Sequence, residues 1–331
     1  MKNYNDYIVY LKPKGFIKDF PHSDTLFGAL MWAIRFIYGE NELNKVINAF
    51  INGEKIFCAS SSFPVYKKQV FTFPVCAGVI KLFMGVLQGK DEKWKEFKKA
   101  KYWSVSFWRK FIENGEKTLK EFKTEENLNE DKGIVSLGEI KDRLMTTGIV
   151  IRNEINRLKH STEEGKLFFK RYIMLNRNFE LYFILRTLYD KGYFEPLLKY
   201  LADTGIGGEK SAGYNQFATE IIDVPSEIKG LLNRKGEYFV CLSRYIPDDG
   251  EIQFPPESFE IESIIYAPET KFEFAPFGKH KKLIKFIKEG SKVKILKEKE
   301  IYGKICEINF VKEDKNYRVI RSGLCLPLFI Q

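Results

Sequence analysis

The segment ADTGIGGEKSAGYNQF, residues 202–217, contains four glycines and a single lysine. Glycine adopts positive φ without steric cost and lets a ligand approach the main chain, whose exposed amides bind anions. Lys210 would add a point charge to such a cradle. The competing interpretation is a tight helix-to-strand connection in which Gly205 ends the helix. That interpretation accounts for Gly205 and leaves the other three glycines unexplained.

The order of elements around this segment differs from the common small-nucleotide loops. A Walker-type loop carries Gly-Lys-Ser/Thr ahead of a helix, and a dinucleotide-binding loop follows a strand and begins a helix. The segment here follows a predicted helix and leads into a predicted strand. A pocket for a mononucleotide is therefore not expected.

Four motifs resemble a known family. GIGGEKSAGYNQF resembles the glycine-rich loop of the RAMP superfamily of CRISPR proteins. HSDTLFGAL, SSSFPVY and RSGLCLPL resemble one of its families, the fourth Csm subunits, which hold the 5′ handle of the guide RNA (crRNA) in type III-A interference complexes. The matched motifs extend from Pro21 to Leu328, so the resemblance covers nearly the whole chain.

The resemblance implies a handle-binding surface. Its expected members in the glycine-rich segment are Gly205, Gly207, Gly208, Lys210, Ser211 and Gly213. Thr25 and Gly28 would lie at the start of the first helix, where RAMP proteins approach RNA phosphates, and Tyr214 would contact splayed bases. Asn215 stands where the family often has glycine. Asparagine tolerates the left-handed conformation, so the turn is expected to survive without a phosphate contact at that point.

A long β-hairpin is predicted where 149–155 and 166–175 flank the polar segment NRLKHSTEEG. The resemblance implies that this hairpin is a thumb that contacts guide RNA and the neighbouring subunit. Arg152 and Arg157 are its preferred RNA contacts, ahead of His160. An ordinary polar hairpin exposed to solvent is the competing interpretation.

These motifs require a scaffold, and the periodicity predicts an α+β chain. A strand at 7–11 precedes a helix capped by Ser23, with an apolar stripe at Leu26, Leu30, Ile34 and Ile37. Proline-bounded strands, an apolar helix at 77–87 and an amphipathic packing helix within 91–110 follow. The aromatics of 91–110 would be a base-stacking surface in the alternative interpretation.

The whole chain is predicted to form two ferredoxin-like (RRM-like) domains. Residues 1–225 carry the glycine-rich loop and the thumb, and residues 226–331 form the second domain, with a basic helix at 281–290 and strands in KICEINF and YRVIRSGLCLPLFI.

Charge and cysteine content agree with this interpretation. The 54 Lys+Arg residues exceed the 44 Asp+Glu residues by ten, and the isoelectric point is about 9.1. Excess positive charge favours an acidic partner and gives salt-sensitive affinity for RNA. Five scattered cysteines indicate neither a disulfide framework nor a zinc site. The longest apolar run is interrupted by Lys81, so we expect no membrane segment and a cytoplasmic location.

The sequence thus predicts a non-catalytic RNA-binding subunit without cofactor or metal. The resemblance implies as partners the crRNA handle, a large polymerase-like subunit and a backbone RAMP subunit. One alternative is a metal-independent RAMP endoribonuclease using one of the histidines His22, His160 and His280. Another is a scaffold with little RNA affinity. DDGE at 248–251 is expected to be an Asp-Gly turn rather than a cation site.

Overall fold

The computed structural model describes residues 3–77, 79, 92–156, 161–253, 261–264, 284–312 and 315–330, and its architecture is mixed α+β, as predicted. Within these ranges the helices are α1 (Ser23–Tyr38), α2 (Glu40–Ile51), α3 (Glu92–Phe97), α4 (Val105–Asn114), α5 (Glu116–Lys120), α6 (Thr124–Asn127), α7 (Lys191–Thr204) and α8 (Ser226–Leu232). The strands in the same ranges are β1 (Asn5–Pro13), β2 (Phe57–Ala59), β3 (Phe63–Tyr66), β4 (Val70–Pro74), β5 (Tyr102–Ser104), β6 (Ile134–Val135), β7 (Met145–Asn156), β8 (Ser161–Leu175), β9 (Phe179–Thr187), β10 (Phe217–Asp223), β11 (Tyr238–Cys241), β12 (Ile261–Ile264), β13 (Ile284–Ile287), β14 (Lys292–Lys294), β15 (Ile305–Lys312), β16 (Lys315–Ser322) and β17 (Pro327–Ile330).

The N-terminal half is built on one large sheet with the strand order β10-β1-β9-β3-β4-β5-β6, and β2 also pairs with β9. Strand β1 lies between β10 and β9 and is antiparallel to both. Residues 7–11 of β1 are buried one after another, and β9 is buried along nearly its whole length. Successive residues of a strand point to opposite faces, so both faces of the sheet are covered at its centre.

Helices α1 and α7 cover one face of the sheet. Phe57 of β2 points to this face, and its ring centroid lies 5.5 Å from that of Phe27 in α1 and 5.8 Å from that of Phe194 in α7. The C-terminal half covers the opposite face. There Arg186 of β9 makes two 2.7 Å hydrogen bonds to Asp6 and a 2.9 Å hydrogen bond to the Glu300 carbonyl.

One apolar core joins the two halves. It includes most of β1 and β9 together with residues from α8 and the C-terminal strands. The C-terminal members of this core include Ile228, Leu231, Leu232, Val240, Leu326 and Leu328. The central sheet therefore has no open aromatic face on which bases can stack.

Helix α1 differs from the prediction at both ends. Its predicted stripe is buried at Leu26, Leu30 and Ile34. Ile37, however, is 41% exposed. The capping residue is His22 rather than Ser23, and Ser23 is the first helical residue. The prediction about Ser23 is wrong because its side chain is buried and accepts a hydrogen bond from the Arg244 backbone N–H at 2.9 Å.

The segment 91–110 is not a single helix, because the short strand β5 separates α3 from α4. Trp103 and Trp108 are fully buried, which confirms packing rather than base stacking for these two rings. In 281–290, residues 284–287 form β13, so the predicted helix is wrong there. In the apolar segment 77–87, residues 78 and 80–87 lie outside the described residues.

In the C-terminal half, β14-β11-β17 form a three-stranded sheet and β12-β13 and β15-β16 form two-stranded ladders. Glu251 of the DDGE motif is completely buried and bonds Lys299 at 2.6 Å, Lys55 at 3.1 Å and the Gly303 N–H at 2.7 Å. Burial alone would raise the pKa of Glu251, but these contacts outweigh it and lower the pKa to about 2. The carboxylate thus links the halves through Lys55, while Gly250 forms the expected positive-φ turn.

Candidate nucleic-acid interface

The connection between α7 and β10 turns repeatedly through the left-handed region. Gly205, Gly207 and Gly213 have φ of 77°, 88° and 82°, and the non-glycine residues Glu209 and Asn215 have φ of 62° and 56°. A 3₁₀ turn at Lys210–Ala212 lies between the left-handed residues Glu209 and Gly213. We call residues 205–213 the bare connection.

The glycines of the bare connection serve different purposes. Gly205 is buried and ends α7, and a Cβ there would lie 2.9 Å from the Asn215 carbonyl oxygen. A Cβ on Gly207 would lie 3.5 Å from Cγ2 of Thr25, so the connection reaches the start of α1. Gly208 and Gly213 are exposed, and a Cβ on either would meet no atom within 4 Å. The glycine at position 205 is explained by its own chain, which occupies the space beside it, and its RNA contact stays a prediction.

Asn215 holds the bare connection against the segment between β1 and α1. Its side-chain amide donates to the Gly208 carbonyl at 3.0 Å, and its Oδ1 accepts from the Lys18 backbone N–H at 2.9 Å. Its own backbone N–H donates to the Phe16 carbonyl at 3.0 Å. Asn215 is 5% exposed, so the departure from glycine is explained by these hydrogen bonds rather than by a ligand.

The hairpin of β7 and β8 packs one face against the bare connection. The Arg152 guanidinium donates to the Ala212 carbonyl at 3.2 Å. Lys170 forms a hydrogen-bonded ion pair with Glu209, and this contact lowers the pKa of the Glu209 carboxyl. Tyr172 lies over Gly148, which has no room for a Cβ, and its ring centroid is 4.2 Å from that of Phe16.

Tyr214 belongs to this packing rather than to the exposed surface. It is 2% exposed, and the Arg152 guanidinium lies 5.0 Å from its ring centroid. A ring buried to this extent has no free face for a base, and the RNA contact of Tyr214 stays a prediction. The Tyr214 hydroxyl is buried and has no hydrogen-bond partner among the described residues.

Cations surround the bare connection on several sides. Lys210 is exposed at the 3₁₀ turn. Lys14 donates to the Ala202 carbonyl at 2.9 Å, and the charge of Lys18 contributes to the lowered pKa of Glu209. Sequence reasoning missed Lys14, Lys18 and Lys170. The run KPKGFIKDF before α1 was the available signal for the first two.

The structure brings most of the predicted site residues together and leaves some apart. Thr25 lies beside the bare connection, whereas Gly28 lies one turn further along α1 and a Cβ there would meet no atom within 4 Å. Ser211 lies in the 3₁₀ turn. Arg157 and His160 fall outside the described residues.

The other face of the hairpin has an inverted polarity. Strand alternation normally places polar side chains outward. Here Ile149, Ile151, Leu167 and Phe169 are 66%, 61%, 63% and 67% exposed, and Ile151 pairs with Phe169 across the ladder. We call these four residues the outward hairpin face. The cationic side chains Arg152 and Lys170 point the other way, toward the bare connection.

The motifs HSDTLFGAL and RSGLCLPL meet at the start of α1. Asp24, whose side chain is 5% exposed, accepts from Arg244 Nη1 at 3.2 Å and from Arg321 Nη1 at 3.4 Å. Two guanidinium groups of the C-terminal half therefore hold this carboxylate. The ion pairs of Asp24 therefore link the start of α1 to the C-terminal half.

The motif SSSFPVY joins the same junction through Ser61. His22 Nδ1 lies 2.9 Å from Glu289 Oε1, and the Ser61 hydroxyl also bonds this oxygen. Burial alone would raise the pKa of Glu289, but its bonds to His22 and Ser61 and the charge of His22 outweigh that effect and lower the pKa to about 2. His22 is thus part of a polar joint between the halves.

Neither a metal site nor a membrane helix is found among the described residues. No group of three or more His, Cys, Asp or Glu side chains there is arranged to hold a metal ion. None of the helices in the described ranges has the length and apolar character needed to cross a membrane.

Sequence and structure comparisons identify the relatives of this chain. No family model matches it. The CRISPR system Cms protein Csm4 of Thermococcus onnurineus (strain NA1) is 28% identical over 294 residues, which cover 86% of this chain and 86% of that protein. The protein of the same name from Methanocaldococcus jannaschii is 26% identical over 313 residues, which cover 82% of this chain and 78% of that protein.

Solved structures have the same fold over nearly the full length. A chain of the Csm3-Csm4 subcomplex in the type III-A CRISPR-Cas interference complex matches with a TM-score of 0.64 and 22% identity, covering 98% of this chain and 100% of that chain. A chain of the Csm1-Csm4 cassette in complex with pppApA matches with a TM-score of 0.61 and 21% identity, covering 99% and 98%.

The fold and these relatives define a subunit of type III-A CRISPR (Csm) complexes. Within that class, the curated relatives that match most of this chain are Csm4 proteins, which are 28% and 26% identical to it.

Proposed function

We propose that the chain binds the 5′ handle of crRNA on the bare connection and does not cleave the RNA. The observation that carries this proposal is the exposed Gly208, because neither a positive φ nor a neighbouring atom of the chain requires a glycine there. Gly213 is equally exposed and open, but its φ of 82° by itself favours glycine. Lys210 and the positive end of α1 border the same surface. Main-chain amides and lysine together hold phosphates, and 2′-hydroxyls offer further contacts.

The proposed surface is smaller than the predicted one. It includes Thr25, Gly207, Gly208, Lys210 and Gly213, with Ser211 and Gly28 at its edges. Arg152 contributes positive potential from the hairpin, and the ion pair of Lys170 with Glu209 holds the bare connection in place. The burial of Gly205 and Tyr214 leaves both out.

We further propose that the chain joins two protein partners. Relatives occur in a Csm1-Csm4 cassette and in a Csm3-Csm4 subcomplex. By analogy, the partners would be a large polymerase-like subunit of the Csm1 type and a backbone RAMP subunit of the Csm3 type. The outward hairpin face suits the backbone subunit, because it presents four large apolar side chains to solvent on a hairpin whose opposite face packs against the bare connection. This function would operate in the cytoplasm.

The finer architecture belongs to the same proposal. The arrangement β1-α1-β3 followed by β9-α7-β10, with strand order β10-β1-β9-β3, is that expected of a ferredoxin-like half. We propose two such halves, residues 1–225 and 226–331, which share one core.

Fluorescence anisotropy with handle-bearing crRNA tests the proposal. We expect the logarithm of the binding constant to fall linearly with the logarithm of salt, by about 0.7 per phosphate neutralised. An RNA that lacks the handle is the matched control and should bind more weakly. No measurable affinity, together with no protection of the handle in the assembled complex, would instead favour the scaffold alternative.

The endoribonuclease alternative has its own test. Purified chain is incubated with repeat RNA in EDTA, and the products are compared with those of the His22→Ala variant. The bond of His22 to the buried Glu289 favours a structural role, so we expect no cleavage by either protein. Cleavage that His22→Ala abolishes would replace the binding-only proposal.

A further inference from the structure

The bare connection, which we propose binds phosphates, itself contains a carboxylate. Glu209 is the only acidic residue in the sequence of 205–213, and it lies between the exposed residues Gly208 and Lys210. A carboxylate repels the phosphates of a strand that lies beside it. Its side chain is 31% exposed, so this charge is not hidden from a strand, and its presence requires an explanation.

The backbone does not account for a glutamate at this position. Glu209 has φ of 62°, in the left-handed region that glycine adopts without strain and that asparagine tolerates. The other residues with positive φ between positions 205 and 215 are of those two types: Gly205, Gly207, Gly213 and Asn215. A glycine or asparagine would suit position 209 better than glutamate does. What glutamate adds there is its carboxylate.

Three cations from outside the bare connection act on this carboxylate. Lys170 of β8 forms an ion pair with Glu209, and Arg152 of β7 lies close by, since it donates to the Ala212 carbonyl at 3.2 Å. The hydrogen bond to Lys170 lowers the pKa of Glu209 most, burial opposes this effect, and the charges of Lys170, Lys18 and Arg152 lower the pKa further. One negative charge thus faces three positive charges, which leaves a local excess that attracts anions.

The ion pair between Lys170 and Glu209 is suited to exchange. The two side chains are 28% and 31% exposed, and ion pairs that water can reach contribute little to stability. A phosphodiester carries one negative charge, as a carboxylate does, and its oxygens also accept charge-assisted hydrogen bonds from an ammonium group. Replacing the carboxylate by a phosphate therefore leaves Lys170 paired and returns the Glu209 side chain to water.

We propose that Glu209 occupies the position of a handle phosphate and gives up Lys170 to that phosphate when crRNA binds. This inference rests on the proposed function for the RNA itself. It assigns Lys170 as a phosphate contact and not only as a support of the bare connection. It also assigns Glu209 as a residue that lowers the affinity of the chain for RNA, because the strand must compete with it.

Two variants of this ion pair distinguish exchange from a permanent structural role. Glu209→Gln keeps the length of the side chain and removes its charge, so it should bind handle-bearing crRNA about 3- to 5-fold more tightly at low salt. Its binding constant should also fall more steeply with salt, by about 0.7 in the logarithmic slope. Lys170→Gln should bind crRNA about 10-fold more weakly. A purely structural ion pair predicts weaker binding for both variants, because either change breaks the same contact.

Two further variants control for net charge and for folding. Glu121→Gln changes the net charge equally and breaks an ion pair with Lys110, so its crRNA affinity should equal that of wild type. Glu209→Gly removes the carboxylate with a residue that suits φ of 62°, and it should also bind crRNA more tightly than wild type. Thermal unfolding establishes that each variant is folded.

The outcomes separate this inference from the function on which it rests. Equal or weaker binding by Glu209→Gln and Glu209→Gly would overturn the exchange, and so would wild-type affinity of Lys170→Gln. An equal gain in Glu121→Gln would show that net charge alone is responsible and would also overturn it. If the wild-type chain does not bind handle-bearing crRNA, the proposed function itself fails and the inference fails with it.

Discussion

Replacing Gly208 by valine distinguishes a glycine that the fold needs from a glycine that RNA binding needs. Gly208 has no positive φ, is exposed, and a Cβ there would meet no atom within 4 Å. We therefore expect the free energy of unfolding of Gly208→Val to stay within about 0.5 kcal/mol of wild type. Gly207 has φ of 88°, so Gly207→Val should lose about 1–2 kcal/mol of stability from backbone strain alone.

The effect on RNA affinity follows from the contacts that a side chain would block. A hydrogen bond to a charged group contributes about 1.5–3 kcal/mol, so losing one amide-to-phosphate bond should weaken binding about 10- to 150-fold. Anisotropy titration with handle-bearing crRNA measures the affinity, and thermal unfolding measures the stability. Gly230→Val on α8 is the matched control, because Gly230 is equally exposed and open. If Gly208→Val binds crRNA as tightly as wild type does, the bare connection only joins α7 to β10, and the proposed RNA contact at Gly208 is refuted.

Three further predictions concern charge, pH and packing. Lys210→Ala should lower the salt slope of crRNA binding by about 0.7 without changing stability, and an unchanged slope would exclude a phosphate contact. Because folding lowers the pKa of Glu251 to about 2, its contribution of about 3 kcal/mol is present above pH 4.5 and is lost as the pH falls toward 2. In denaturant titrations Glu251→Gln should lack this contribution at neutral pH, and equal stability of the two proteins would contradict the expectation. Gly148→Ala should cost about 1–3 kcal/mol of unfolding free energy because its Cβ overlaps the Tyr172 ring, and Tyr172→Ala should restore part of that loss.

The local sequence pattern was enough to predict those elements whose residues follow one regular periodicity, either that of a strand or that of a helix. Strands β1, β7 and β9 were predicted because each contains at least four consecutive residues that either alternate between apolar and polar or are all apolar. The segment 281–290 was wrongly predicted to be a helix, because its lysine and apolar residues are spaced in a way that fits both the helix period and the strand period. Its residues 284–287 pair with β12, a partner that no local pattern reveals.

Those parts of the candidate surface that depend on neighbouring residues in the sequence could be predicted, whereas those that depend on tertiary packing could not. Glycines concentrated within one segment pointed to the bare connection, and Asn215 was correctly predicted to occupy the left-handed region. The burial of Tyr214 follows from the hairpin that folds over it, which sequence spacing alone does not show. Lys170 reaches Glu209 across 39 positions of sequence, so its contribution to the surface required the fold.

The outward hairpin face bears on how such a subunit can be handled. Four large aliphatic and aromatic side chains presented to water on a two-stranded ribbon favour self-association of any copy that has not found its neighbour. Co-expression should therefore yield a homogeneous sample where separate production yields aggregates. Inside an organism, the same property would tie the abundance of this chain to the supply of the subunit that covers it.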